Sequence, residues 1–168
     1  MSRPTKSLNP ILRMGVYKDI SEVPEKRRFI NFVEEYQYMD IWGSFCQKYE
    51  YSKGNYDQFE QIINKIGNCW QDFMNSRQHH YAFAAPDDIE AWCVELRQAR
   101  EMSTRQIHDH WLRLYRFYDW LLWHVDYPHT YNPSLMAAAN GGVAGDVWEC
   151  KVERTREARE RYRNKNNE

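Results

Sequence analysis

The feature that most constrains the fold is an amphipathic helix that the sequence predicts from near Ser103 into an aromatic loop closed by Pro133. At about 100° per residue, its large apolar side chains form one stripe roughly 80° wide, and Arg105, Arg113 and Arg116 lie on the opposite side. One face therefore belongs in a core, and the other is suited to an anion. The predicted apolar stripe is Ile107, Trp111, Leu114, Tyr118, Leu121 and Val125.

Three other segments also show helical patterns. Residues 56–78 carry the clearest period, Pro86-Asp87-Asp88 opens the next helix, and Pro133 heads a short one that Asn140-Gly141-Gly142 ends. No segment alternates between apolar and polar residues as a strand with hairpin turns would. The predicted fold class is therefore all-α. The period in residues 56–78 is formed by Phe59, Ile62, Ile63, Ile66, Trp70, Phe73 and Met74.

The two ends of the chain have weaker patterns. Residues 1–20 have no period and predict an extended or disordered arm. Ser21 is a candidate N-cap, with Pro24 in the first turn of an extra helix, and Gly54-Asn55 marks a break after the aromatic-rich stretch that follows. The charged residues after about Gly145 predict either a solvated helix or a frayed tail.

Composition excludes several classes of protein. Mean hydropathy is −0.88 and no apolar run is long enough to span a bilayer. The N-terminus lacks the apolar core of a signal peptide, so we expect a cytoplasmic protein with no membrane partner. The four cysteines have neither the spacing of a zinc site nor that of a disulfide-rich scaffold, which predicts free and mostly buried thiols.

The sequence offers little that suggests catalysis or cofactor binding. Neither His79-His80 nor the pair His108 and His110 has the i, i+4 spacing of a helical zinc site. There is no glycine-rich phosphate loop, nucleophile elbow or dinucleotide fingerprint. We therefore expect no metal, no cofactor and no small-molecule substrate.

Charge is unevenly distributed along the chain. The net charge is −1, which by itself argues against a nucleic-acid-binding protein. The stretch from Arg154 to Lys165, however, carries a local charge of +4. The pattern describes a basic tail on a mildly acidic body.

The order of the helices from about Tyr56 to Ala139 resembles the N-terminal core-binding domain of tyrosine recombinases, the phage-integrase family. That SAM-like domain has four helices. The resemblance covers about half of the chain. The segment YPHTYNPSLMAA is similar to the corresponding segment of haloarchaeal members of the family. The residues that carry it are Tyr56, Phe59, Ile63, Ile66, Trp70 and Phe73 in the first helix, Asp87, Asp88, Ile89, Trp92 and Leu96 in the second, Ser103, Ile107, Trp111, Leu114, Phe117, Tyr118, Trp120 and Leu121 in the third, and the closing Asn132-Pro133.

This resemblance implies contact with double-stranded DNA, because the family's domain lies against the major groove and its phosphates. The first turn at Ser103, Thr104 and Arg105 offers backbone N–H groups and a cation to a phosphate. Arg113 and Arg116 lie on the same exposed side of the helix. These five residues are the predicted DNA-binding set.

Two departures from the family limit what the resemblance implies. The residues after Ala139 are too few to supply the family's catalytic domain, so we expect a chain that does not cut or join DNA. His110-Trp111-Leu112-Arg113 matches the family's His-x-x-Arg motif, but we interpret this match as a coincidence. Tyr162 lies among arginines as the family's tyrosine nucleophile would, but it lacks an assembled pocket to stabilise the charge on an attacked phosphate. Asp109 stands where the family commonly has a basic residue, which predicts weak and salt-sensitive binding unless the C-terminal arginines help.

The predicted organisation is an arm at 1–20, an accessory aromatic-rich helical region at 21–54, an integrase-like core-binding domain of four to five helices at 55–140, and a charged helix or tail at 141–168. The predicted function is a non-catalytic DNA-binding protein of a mobile element, acting in recombination or its regulation. One alternative is a helical protein–protein module that pairs with a full-length recombinase or with itself, which the aromatic residues from Phe29 to Tyr51 favour. Another is a fragment of a split or truncated integrase.

Overall fold

The computed structural model describes residues 6–49 and 56–165, and in these ranges every regular element is helical. The prediction of an all-α fold is confirmed. Four short 3-10 turns precede the first α-helix, at Pro10–Arg13, Ile20–Glu22, Glu25–Arg27 and Phe29–Phe32. The α-helices are α1 (Val33–Tyr36), α2 (Ile41–Tyr49), α3 (Tyr56–Ser76), α4 (Pro86–Gln98), α5 (Thr104–Trp123), α6 (Pro133–Ala139) and α7 (Gly142–Lys165).

Local signals account for the ends of α4, α5 and α6. Pro86 opens α4, and Asn132 caps α6 by accepting a hydrogen bond from the backbone N–H of Ser134. The helix predicted to begin near Ser103 is α5, and Ser103 is its N-cap and exchanges two hydrogen bonds with Gln106 in a capping box. Gly141 and Gly142 take φ values of 88° and 64°, a region that glycine enters without strain, so the chain turns there between α6 and α7.

The helix predicted to begin at Ser21 is wrong. Ser21 lies inside the 3-10 turn Ile20–Glu22, and Asp19 is the residue that caps this turn. Pro24 disfavours the helical conformation in the residue before it, and Val23 is accordingly extended, with φ −74° and ψ 119°. Residues 20–36 are therefore a string of 3-10 turns leading into the four-residue helix α1.

The core surrounds α5, which packs against α2, α3, α4, α6 and α7. Five of the six residues in its predicted stripe are fully buried. Val125 is the exception: it is 95% exposed because α5 ends at Trp123, before the stripe reaches it. In α3, Ile62 is half exposed, whereas Ile63, Ile66, Trp70, Phe73 and Met74 are buried as predicted. The side chain of Phe59 and the break at Gly54-Asn55 lie outside the described residues.

A buried polar cluster fixes the connector between α3 and α4 to the core. The carbonyl oxygen of Tyr81 accepts hydrogen bonds from Trp70 Nε1, at 2.9 Å, and from the hydroxyl of Tyr118, at 2.6 Å. The hydroxyl of Tyr118 in turn accepts one from the N–H of Ala84. These contacts satisfy polar groups that would otherwise be costly to bury, and they tie α3 to α5 through the connector.

The predicted arm and the charged C-terminal segment are both structured over their described residues. Trp148 of α7 packs on Trp111 of α5, with ring centroids 5.9 Å apart, and its Nε1 donates to the carbonyl of Leu8 at 2.8 Å. Met14 is buried beside them in the core. Of the alternatives for the C-terminal segment, the structure has the helix: α7 begins at Gly142 and continues to Lys165.

The four cysteines are free, as predicted, with Cys46 and Cys93 buried and the other two half-buried. Burial raises the pKa of the Cys93 thiol to about 12. Among the described helices, none combines the length and the apolar character that crossing a membrane requires.

The N-terminus of α7 is capped by a side chain from another helix. Glu90 of α4 accepts hydrogen bonds from the N–H groups of Val143 and Ala144, at 2.8 and 2.9 Å. A carboxylate at this position satisfies two unpaired donors and interacts favourably with the helix dipole. This contact fixes the start of α7 against α4.

We predict that Glu90→Ala lowers the free energy of unfolding by about 1–2 kcal/mol, because two N–H groups at the start of α7 lose their acceptor. Urea titration followed by tryptophan fluorescence measures this change. Glu90→Gln is the matched control: it keeps an amide oxygen and should lose less stability. Equal stability of Glu90→Ala and the wild type would contradict this account of α7.

Candidate functional site

The candidate site is an open groove of about 610 Å³ between α5 and α7. We call it the basic groove, because five cationic side chains and no carboxylate line it among the residues that the structure describes. Its α5 wall is His108, Leu112 and Arg116, and its α7 wall is Lys151, Arg154, Thr155, Ala158, Arg159, Tyr162 and Arg163.

Helical spacing places these residues on facing sides of the two helices. On α5, His108, Leu112 and Arg116 are four residues apart and therefore share one face. On α7, the groove residues from Lys151 to Tyr162 recur at positions i, i+3, i+4, i+7, i+8 and i+11, which also share one face. The acidic residues of α7 fall within an arc of about 80° on the side opposite the groove, at about 100° per residue. They are Asp146, Glu149, Glu153, Glu157 and Glu160.

The ion pair between Arg154 of α7 and Asp109 of α5 joins the two walls of the groove. Arg154 Nη1 lies 2.9 Å from Asp109 Oδ1 and 2.7 Å from His108 Nδ1. Because a guanidinium nitrogen only donates, Nδ1 of His108 is the acceptor and the neutral ring carries its proton on Nε2. Burial, and then the charge of Arg154, lower the pKa of His108 to about 4.

Lys151 lines the groove close to the body of the protein. Its ammonium lies 4.3 Å from the centroid of the Trp148 ring, within the range of a cation–π contact. Burial lowers the pKa of Lys151 to about 8, and the positive charges of Arg13, Lys6 and Arg116 add to the effect. The lysine is therefore held in a region that is already positive, where an anion would stabilise its charged form.

Most of the positive charge in the groove is not neutralised by the protein. In the part of the chain that the structure describes, Lys151, Arg159 and Arg163 form no ion pair with a carboxylate. Between these cations lies Tyr162, which is 69% exposed and makes no hydrogen bond to another described residue. This arrangement attracts anions and offers them an aromatic ring.

The predicted DNA-binding residues do not form one cluster. Arg116 lines the basic groove, and Arg105 is exposed on the same face of α5. Arg113 is half-buried, and its Nε and Nη1 atoms are shielded from solvent. Ser103 Oγ accepts from the Gln106 N–H, and Thr104 Oγ1 accepts from Arg97 Nη2, so both hydroxyls already serve contacts within the protein.

Sequence reasoning missed most of the groove. It did not assign Lys151, Arg154, Arg159 or Arg163, and it considered Tyr162 only as a nucleophile. A signal was available in the spacing of charges after Trp148, where carboxylates recur on one helical face and the cations nearest the groove lie on the other. The packing of the cationic face of α7 beside α5 depends on the tertiary structure, so the sequence of α7 alone does not predict it.

Two further observations concern residues that the sequence analysis considered for metal binding and for catalysis. Within residues 6–49 and 56–165, no group of three or more His, Cys, Asp or Glu side chains is arranged to hold a metal ion. Trp111, inside the His-x-x-Arg match, is fully buried in the core.

The chain matches no protein-family model, no curated protein and no solved structure. The resemblance to a recombinase core-binding domain therefore stays a prediction. The basic groove is the observation from which a function can be argued.

We predict that stability falls as the pH is lowered from about 6.5 to about 4. The folded protein keeps His108 neutral with a pKa of about 4, whereas the unfolded chain binds a proton near the ordinary value of 6.5. The stabilisation is thus nearly complete above pH 6.5, and its loss by pH 4 should cost about 3 kcal/mol for this residue. Urea unfolding at pH 7, 6, 5 and 4 measures it.

His108→Asn is the matched variant, because its amide oxygen can accept from Arg154 as Nδ1 does but does not titrate. Its unfolding free energy should depend less steeply on pH in this window than that of the wild type. Buried His129, whose pKa burial also lowers to about 4, will leave a remaining slope in both proteins. Identical slopes would show that His108 does not titrate as described.

Proposed function

We propose that this chain is a non-catalytic DNA-binding protein whose basic groove binds the phosphates of double-stranded DNA. The observation that carries this proposal is the groove itself, which five cations and no acidic residue line within residues 6–49 and 56–165. Arginine and lysine contacts to phosphate supply most of the affinity of such proteins and make it dependent on salt.

The distribution of charge supports an oriented encounter with DNA. The whole chain has a net charge of −1, although its groove is strongly positive, so the remaining surface carries the balancing negative charge. A polyanion is attracted to the groove and repelled elsewhere, which favours approach by this face. The affinity expected from so small a basic surface is modest and sensitive to salt.

The order of the helices favours a role in DNA recombination or integration of a mobile element, or in its regulation. This part of the proposal rests on the resemblance to the core-binding domain of tyrosine recombinases. Strand cleavage is not proposed, because no described residue lies within hydrogen-bonding distance of the Tyr162 hydroxyl to take its proton. If the chain is part of a split integrase, the catalytic residues come from another chain.

A second candidate is a helical module that binds a recombinase or a second copy of itself. It is favoured by two large apolar side chains at the end of α5: Trp123 is 80% exposed and Val125 is 95% exposed. Exposed aromatic residues of this kind are enriched in the anchors of protein interfaces.

We predict that replacing two groove arginines, Arg159→Gln with Arg163→Gln, weakens binding to a duplex by about tenfold or more near 0.1 M salt, because two phosphate contacts are lost. The slope of log affinity against log salt should fall by about 2. Fluorescence anisotropy at about 50, 100 and 200 mM salt measures both quantities.

Arg156→Gln is the matched control, since Arg156 is exposed on the same helix but does not line the groove. It should change the affinity much less than the double variant. Arg105→Ala, Arg113→Ala and Arg116→Ala then show whether α5 shares in binding, and Arg116 should have the largest effect of the three. No binding of the wild type near 50 mM salt would overturn the proposal.

For the second candidate, we predict a mass above that of the monomer in light scattering at high protein concentration, and a return to the monomer in Trp123→Ser. Removing an exposed indole should not disturb the fold, which circular dichroism checks. A monomeric wild type that also fails to bind a recombinase would count against the module.

A further inference from the structure

The basic groove has an apolar strip that phosphate binding does not require. Leu112 of α5 faces it, and Ala158 and Tyr162 of α7 lie between the cations at its two edges. The outside of a duplex presents phosphates and sugars, while its bases are stacked inside and reach only the grooves. An apolar floor with a basic rim is instead characteristic of sites that take unpaired nucleotides.

Tyr162 is the residue that carries this argument. Its side chain is 69% exposed, although the helix around it is otherwise strongly charged, and no described aromatic ring packs against it. Lys151, Arg159 and Arg163 line the same groove without a carboxylate partner in the described chain. A free aromatic face beside several free cations combines the two parts of a single-strand site, a stacking platform and an electrostatic track.

The volume of the groove also favours a single unpaired nucleotide as the ligand. Its volume of about 610 Å³ lies within the range of sites that enclose one small molecule. A base with its sugar fits an open site of this size. An unpaired base can contact the apolar strip, whereas the bases of a duplex are stacked inside it.

We propose that the basic groove holds an unpaired nucleotide at an end, gap or junction of the bound DNA, with its base stacked on Tyr162 and its neighbouring phosphates on Lys151, Arg159 and Arg163. This inference rests on the proposed DNA-binding function and specifies its substrate. It requires no chemical step. DNA with exposed bases beside a duplex is the preferred ligand.

The test compares two DNA probes that share one duplex, one with blunt ends and one with a short single-stranded pyrimidine overhang. Fluorescence anisotropy at fixed salt should show the overhang probe binding about five- to 100-fold more tightly, the range expected for stacking of one base. A 2-aminopurine placed at the first unpaired position should change its emission on binding. Tyr162→Ala should remove both the preference and the emission change.

Two further variants separate stacking from other effects. Tyr162→Phe keeps the ring and should keep the preference, whereas Tyr162→Leu keeps apolar bulk without an aromatic face and should lose most of it. Tyr38→Ala is the matched control, because Tyr38 is 93% exposed and lies outside the groove. The salt dependence of binding should be unchanged in Tyr162→Ala, since the phosphate contacts remain.

The outcomes distinguish the two proposals. If neither probe binds near 50 mM salt, the DNA-binding function itself fails. If both probes bind equally and Tyr162→Ala matches the wild type, the groove binds duplex phosphates and the inference of an unpaired nucleotide is overturned. If Tyr162→Phe loses the preference, the hydroxyl rather than the ring is responsible, and stacking is overturned.

Discussion

The contact on which the site depends is the packing of the first half of α7 against α5. Ala144, Val147, Trp148 and Val152 are buried, and then the apolar residues of α7 end. From residue 156 to 165 every position is exposed, so this half of the helix extends beyond the body while remaining continuous with its packed half. The first half of α7 packs on α5, and the same helix continues past the packed residues. The residues of α7 that follow Val152 therefore form most of one wall of the groove, and α5 forms the other.

The capping contacts and the ion pair hold this geometry at two places. Glu90 fixes the start of α7 to α4, and Arg154 joins its middle to Asp109 and His108 of α5. Arg154 is therefore largely occupied within the protein and serves to position the wall. The cations beyond it, at the projecting end, are the ones available to an anion. Asp109, which argued against DNA binding when read from the sequence, instead neutralises a structural arginine.

The sequence predicts an element of the fold when the residues that determine it lie close together in the chain. The starts of α4, α5 and α6 were predicted correctly because Pro86, the Ser103 capping box and Asn132-Pro133 act within a few residues of themselves. The helix at Ser21 was wrong because Pro24 imposes an extended backbone just before it. Of the groove residues only Arg116 was predicted as a ligand contact, since the groove depends on where two helices meet rather than on the pattern of either one.

The candidate site shows why an exposed polar residue is a weak predictor of a ligand contact. Ser103 and Thr104 have the right chemistry for phosphate, but their hydroxyls accept hydrogen bonds from Gln106 and Arg97. The polar side chains on α7 that make no ion pair or side-chain hydrogen bond within the described protein and that line the groove beyond Arg154 are Arg159, Tyr162 and Arg163. A charged helix that leaves the body gains no stability from a core there. The carboxylates of α7 lie on the side away from the groove, and the groove side carries Arg159, Tyr162 and Arg163, so this face favours an anion as the ligand.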